Sequence, residues 1–490
     1  MSATLPARLA ALVAQARQRR SPRPVLVSAS EELPPVDPLA LLGAAADAAQ
    51  GDAALTSLLA GGRMFWARPA DRVALAGLGA AVTLAPSGAT RFQVADRAWR
   101  HLLESLVTDD DTDDDAPLGA PVLLGGFSFD PAGPASDAWR AFPSTHLFVP
   151  ALQLRGAPEG HRLTLSTLLR PDGTSSVSAA ELQRLYDLAR GDAQYDAPPA
   201  RDAEPVGELA YAPLRPADEW RALVRDAVHE IRGGAMEKVV LARAERAALP
   251  EPLDVLALLR HLRATYEEGY VFGCWRGDAV FAGASPERLV RLRDGAVDAS
   301  SLAGSIRRGA MPEEDHALAG QLLASAKDLA EHAMVRTALR DALGTLCDDV
   351  TSRDEPSLLS LPNVHHLHTA VRATLREGQS FLGLVGALHP TPAVGGTPRA
   401  GALRFIAERE QLDRGWYAAP VGWVGRDAGE MAVGLRSALL TDRDATLYAG
   451  CGIVADSEPE TELAESRVKL RAMQSALAAT AAESPAASRA

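Results

Sequence analysis

The chain has 490 residues, 47% of them hydrophobic and 23% charged, with a formal net charge of −13. That composition gives a globular protein with ample core, divided into roughly two to four domains or built as one large α/β unit. The acidic balance excludes nucleic acid and anionic membranes as partners, since both require a basic face. An anionic small molecule stays possible, because a metal ion or a few local cations can reverse the field in a cleft.

The N-terminal stretch MSATLPARLAALVAQARQRR is too broken by Arg and Ala for a secretory signal and reads as a short amphipathic surface helix. No apolar run approaches the ~20 residues that span a bilayer. Cys274, Cys347 and Cys451 lie far apart and form neither a disulfide framework nor a zinc knuckle, so free thiols and a cytoplasmic location are expected. Residues 1–205 are rich in Ala, Pro and Asp, with strand-like runs at PVLLGGFSFD (121–130) and HLFVPALQL (146–154). The run DDDTDDD (109–115) lacks the spaced ligands and turn glycine of a cation loop and reads as solvated. Residues 187–217 read as a connection.

Beyond it the pattern sharpens. Trp220, Leu223, Val224, Ala227, Val228 and Ile231 repeat at helical spacing, with Asp218 as N-cap and Gly233-Gly234 as stop. A strand begins at KVVLAR (238–243), and YVFGCW (270–275) and AVFAGASPERLVRL (279–292) form a hairpin that GASPE interrupts. Helices are expected over 313–346, then strand-like and turn-rich pieces over 362–455. The final helix is expected to start at Ser457, with Glu460 completing a capping box. There is no regular strand–helix alternation, no GxGxxG or GxxxxGK[ST] loop and no short repeat, which counts against nucleotide-binding folds and solenoids.

Several residues could carry chemistry, and each also has an ordinary structural reading. In KDLAEH (327–332) Asp328 can cap a helix with Glu331 at N3, a capping box that needs no function. Glu287 ends a strand through a Ser-Pro turn, where ligands are often met or where a side chain merely faces water. Lys238 opens an apolar strand, where it can snorkel to solvent or sit desolvated as a base. His366 and His368 share one strand face, but without HExxH or CxxC they make no zinc site. In ELAESRVK (462–469), Glu462, Glu465 and Lys469 lie on one helical stripe, where Glu465–Lys469 is also the ordinary i, i+4 ion pair. Glutamates in helices suit a hard cation such as Mg²⁺ better than zinc.

Taken in order, KVVLAR, GASPE, LAGSIRRG, KDLAEH, HHL, HPTPAVGGTP, GWVG, GLRSALL, YAGCGIVADSEPE and ELAESRVK resemble the chorismate-binding enzymes. That family includes anthranilate synthase large subunits (component I), aminodeoxychorismate synthases, salicylate synthases and isochorismate synthases. The dense resemblance covers about residues 205–475. The implied fold is one large α+β unit, two antiparallel sheets packed together with helices outside. Residues 1–205 and 206–476 build it jointly, and 477–490 are a frayed tail.

The resemblance implies chorismate as substrate and Mg²⁺ as cofactor. The implied metal ligands are Glu331 and Glu465, with Glu462 behind them and Lys469 near the same substrate carboxylate. Gly304, Ser305, Gly450 and Gly452 match positions that present backbone donors. Tyr417 and Arg436 match contacts to the enolpyruvyl carboxylate, and His366 matches an active-site histidine. Lys238 is then the base that activates water for attack at C2, and Glu287 the acid that protonates the departing 4-hydroxyl.

Departures within the family discriminate among its members. The resemblance implies that a lysine at 238 favours water over ammonia as nucleophile, against the anthranilate synthases. Ala303 stands where aminodeoxychorismate synthases carry a nucleophilic lysine. Ala393 stands where pyruvate-eliminating members tend to have threonine. The expectation is isomerisation to isochorismate, with salicylate synthesis as the alternative and a non-catalytic chorismate-binding protein as the remote one. Menaquinone, siderophore and salicylate routes all begin with isochorismate and stay open. A monomer without a glutaminase partner is expected.

Overall fold

The computed structural model describes residues 3–109, 121–191 and 209–481. Its organising element is the strand Thr145–Ala157, buried along its whole length. One edge of this strand pairs with Val73–Leu84. The other pairs first with Leu123–Phe127 and then with Gly160–Leu169. Pro150 cannot donate to a ladder, and it sits beside the register shift between Ala80 and Val82 on the neighbouring strand.

Two arms of sheet leave this strand. The first runs from Val73–Leu84 through Arg63–Arg68, Tyr270–Arg276, Ala279–Ser285, Ser437–Leu440 and Asp444–Ile453 to Lys238–Ala248. The second runs from Leu123–Phe127 through Pro420–Val424, Gly429–Val433, Arg288–Arg293 and Ala296–Arg307 to Val364–Leu375. Every pairing along both arms is antiparallel. The expected pair of sheets is therefore one hydrogen-bonded system that branches. Its arms pack face to face, with Trp66 against Trp423 at 6.5 Å between ring centroids and the Tyr270 hydroxyl donating to Glu430 at 2.8 Å. The fold is α+β, with 12 α-helices among the described residues. None of these is long and apolar enough to cross a membrane.

Local chemistry explains most elements. The N-terminal helix Leu5–Gln18 buries Leu5, Leu9, Val13 and Ala16 along one stripe. The helix Ala217–Arg232 buries the six apolar residues its spacing picks out. Pro216 precedes it, so Asp218 is a first-turn acid near the positive helix end instead of the cap. The 270–285 hairpin forms as expected. Within 362–455, the helices Phe381–Leu388 and Arg399–Phe405 stand where only strands and turns are expected. FLGLVGAL is too short and too uniformly apolar to show a helical period.

The last helix begins at Pro459. The Ser457 hydroxyl accepts from the Val454 N–H and Glu460 pairs with Arg221, so the expected capping box is replaced by other contacts. This helix continues to Ala481 with Leu477 fully buried, so the chain does not fray at 477. Residues 482–490 lie outside the described residues, as do 110–115 of the acidic run. Asp109 accepts from Arg8 at 2.7 Å. The connection at 187–217 is described only at its two ends, the first of which belongs to the helix Ala179–Arg190.

Candidate active site

The two arms end side by side. There the helices Ala326–Gly344 and Pro459–Ala481 pack on the strands Ala296–Arg307 and Asp444–Ile453. The cleft between them, with the open solvent at its mouth counted in, takes up about 900 Å³. Every residue that the family resemblance assigns to the site lines it, from Lys238 and Glu287 to Glu465 and Lys469, whereas His368 does not.

Lys238 opens its strand at the cleft floor and is only 1% exposed. Its Nζ lies 2.7 Å from Glu331 Oε1. Burial opposes ionisation of Glu331, but the ammonium beside it holds its carboxyl below the ordinary range. Glu287 follows the Ser285-Pro286 turn and is 2% exposed. Its N–H donates to Ser285 Oγ at 3.2 Å and its carbonyl accepts from Val433 N at 3.0 Å. Burial pushes its carboxyl up to about 8, against the opposing charges of Lys238 and Lys469. A buried carboxyl held protonated near neutrality is a proton donor.

Glu331 is freed to pair with Lys238 by a cap one turn earlier. Ser325 is the N-cap, accepting from the Asp328 N–H, and Asp328 occupies the N3 position expected for Glu331. The capping-box reading of Glu331 is thereby overturned.

Glycines let the walls close in. The register shift between Ala303 and Ser305 leaves Gly304 at φ +79°, a left-handed value that favours glycine. A Cβ on Gly452 would stand 2.7 Å from Glu331 Oε1 and 2.8 Å from Lys238 Cε, so glycine there admits the ion pair. Gly450 gives its carbonyl to Lys469 Nζ at 2.9 Å and lies under the Tyr417 hydroxyl. Burial raises that hydroxyl to about 12, so it stays protonated and able to donate. Ala393, beside Val394, completes this side of the cleft.

On the facing wall Arg436 is buried, with its own backbone left-handed at φ +47°. Its Nη2 donates to His366 Nε2 at 3.1 Å, while Nη1 has no partner. Arginine only donates, so Nε2 of His366 accepts and Nδ1 carries the proton toward Ser305 Oγ, 2.9 Å away. Burial, then the Arg436 charge, keeps the imidazole neutral. An orphaned guanidinium N–H in a closed cleft is a receptor for a carboxylate.

The third wall is acidic. Glu465 pairs with Lys469 at 2.6 Å, and Lys327 approaches Glu462 at 3.5 Å. Burial lowers Lys469, but Glu465 overcomes it and holds the ammonium above its ordinary range. Burial raises Glu462 to about 7, and the Glu465 charge adds to this. Cys451, Glu462 and Glu465 bring ligand atoms within 4.8 Å of one another. Glu331 stands apart on Lys238, so the two expected metal ligands are each held by a lysine. With Asp328 also lining the cleft, the wall offers several carboxylate oxygens under mutual repulsion, a donor set that fits a hard divalent cation.

Sequence reasoning missed Lys327, Asp328 and Arg414 as lining residues. Lys327 and Asp328 lie four and three positions before Glu331 on one helix, and that spacing could have found them. Arg414 carried no such signal.

The family profile described as chorismate binding enzyme matches residues 11–478. The chain belongs to the chorismate-binding enzyme family. It is 40% identical over 463 residues to the salicylate biosynthesis isochorismate synthase of Pseudomonas aeruginosa, covering 93% of this chain and 91% of that protein. It is 35% identical over 458 residues to isochorismate synthase MenF of Bacillus subtilis, covering 92% and 93%. The fold of this family member superposes on the menaquinone-specific isochorismate synthase MenF of Escherichia coli with a TM-score of 0.72. That match spans 96% of this chain and 99% of the other at 24% identity.

Proposed function

We propose that this chain is an isochorismate synthase that isomerises chorismate to isochorismate. The observation that carries the reading is Glu287, a fully enclosed carboxyl pushed to about 8, in the same cleft as the buried Lys238. Net isomerisation takes in one water and gives one back. Lys238 accepts a proton as water bonds to C2, both ring double bonds shift by one position, and the C4–O bond breaks as Glu287 protonates the leaving hydroxyl. Hydroxide is a poor leaving group, and protonation by a positioned acid contributes roughly 10²–10⁴-fold. An ammonium cannot accept a proton, so Lys238 must first release its own proton to solvent, a loss that its pairing with Glu331 opposes.

Chorismate carries two carboxylates. Arg436, with its unpartnered Nη1, and the protonated Tyr417 are the receptors for the enolpyruvyl carboxylate. The backbone around Gly304, Ser305, Gly450 and Gly452, with Lys469, receives the ring carboxylate. Mg²⁺ is the proposed cofactor, held by Glu331 and Glu465 with Glu462 behind them. When bound it neutralises and orients the ring carboxylate.

The test is chorismate incubated with purified protein and Mg²⁺, or with EDTA, and followed by proton NMR. Isochorismate approaching an equilibrium mixture without pyruvate, and only with Mg²⁺, is the expected result. Salicylate plus pyruvate would move the chain to the lyase activity and remove the significance given to Ala393. No turnover with Mg²⁺ present would overturn the reading.

A further inference from the structure

Beside the cleft lies a buried ion pair to which the proposed chemistry assigns nothing. Arg414 and Glu410 are 3% and 1% exposed. Arg414 Nε and Nη2 donate to Glu410 Oε1 and Oε2, both at 2.6 Å. The guanidinium also stacks over the Phe129 ring, 4.2 Å from its centroid, and the remaining hydrogen bonds go to main chain. Arg414 Nη2 donates to the Val240 carbonyl at 2.7 Å, and Nη1 to the Val394 carbonyl at 3.0 Å. Glu410 Oε2 accepts the Ala242 N–H at 2.8 Å.

These backbone groups mark a gap in the sheet. On one side, Lys238–Ala248 is paired with Asp444–Ile453 along its length. On the other, it has Gly396–Thr397 only beside Lys238 and Val239, and Ala212–Pro213 only beside Glu245 and Arg246. Between them the Val240 N–H still donates to the Gly395 carbonyl at 3.0 Å, but among the described residues no strand meets the Val240 carbonyl or the Ala242 N–H, and the ion pair supplies one donor and one acceptor there. The same guanidinium holds the loop after Ala393, and the Tyr417 N–H bonds to the Arg414 carbonyl at 2.8 Å. The surrounding backbone is irregular, with a π-turn at Ile406–Glu410 and left-handed Gln411 and Ala418. Such geometry persists where neighbours over-determine it.

We propose that Glu410 and Arg414 are positioning residues: their ion pair substitutes for a missing strand and sets Lys238, Ala393 and Tyr417 in register across the cleft. The consequence for turnover rests on the isochorismate synthase reading; the clamp itself does not. The test uses full-length Arg414→Lys and Glu410→Gln. Arg414→Lys keeps the charge and loses the fork, and Glu410→Gln keeps the shape and loses the charge. Each is assayed with chorismate and Mg²⁺, and amide hydrogen exchange is followed at residues 240–242. The expected result is kcat down on the order of 10²-fold, as for a misplacement of about 1 Å, with KM within about threefold and faster exchange at 240–242. A kcat within about twofold of wild type in a folded variant overturns the proposal, as does unchanged exchange. If Arg414→Lys fails to fold, Glu410→Gln carries the same two readouts. If wild type itself makes no isochorismate, that reading fails, and hydrogen exchange alone decides the clamp.

Discussion

Replacing Glu287 by Gln keeps the shape of the side chain and removes its titration. Glu287 is 2% exposed, and burial lifts its carboxyl from 4.5 to about 8. That difference corresponds to roughly 5 kcal/mol of preference for the protonated form in the folded state. The sign follows from proton binding. Between the two values the folded chain holds a proton that the unfolded chain has lost, so stability falls as pH rises. The contribution is fully present below 4.5 and is lost through about 8. Near pH 7 about nine-tenths of the molecules keep the acid form. Carboxyl-stretch infrared difference spectra, wild type minus Glu287→Gln, should show one protonated carboxyl at pH 6.5 that disappears through about pH 8. Activity should fall along the same limb, and Glu287→Gln should lower kcat by about 10²–10⁴-fold. A difference spectrum showing an ionised carboxylate already at pH 6.5 would refute the assignment of Glu287 as acid.

Three further substitutions probe the walls of the cleft. Arg436→Lys loses the fork whose Nη1 is unpartnered, and KM for chorismate should rise by about 10-fold or more in steady-state assays, the worth of one charged hydrogen bond. Gly452→Ala puts a methyl 2.7 Å from Glu331 Oε1 and should cut kcat by about 10-fold or more, with the thermal midpoint little changed by calorimetry. Glu465→Ala should abolish Mg²⁺-dependent turnover while near-wild-type far-ultraviolet dichroism shows that the fold persists; retained activity would remove Glu465 from the metal set.

The site was more legible than its scaffold. Lys238, Glu287, Glu331 and Glu465 come from four separate segments, and family resemblance, not periodicity, joined them. Spacing alone left each with an ordinary explanation. For Glu331 that explanation fails only because Ser325 caps the helix. The branching of the sheet at Thr145–Ala157 could not be read, because one strand pairing with three others leaves no mark on its own alternation. Nor could the Glu410–Arg414 clamp, whose partners are backbone atoms carrying no side-chain signal.

Lys238 also offers a test of where the proposed metal ion would bind. Its ammonium is the partner of Glu331 at 2.7 Å, so any cation taken up by Glu331 would compete with it. Lys238→Met keeps the length and apolar stem and leaves Glu331 a buried carboxylate without its nearest counter-charge, with only the more distant Lys469 and Lys327 opposing it. If Glu331 is a ligand, Mg²⁺ should bind Lys238→Met at least about threefold more tightly than wild type by titration calorimetry at pH 8, although turnover is lost. This follows because the ion no longer displaces an ammonium and relieves a larger desolvation cost. Unchanged or weaker binding would place the ion on the Glu462–Glu465 side of the cleft, where Lys238 makes no contact, and would leave Glu331 as the anchor of the base alone.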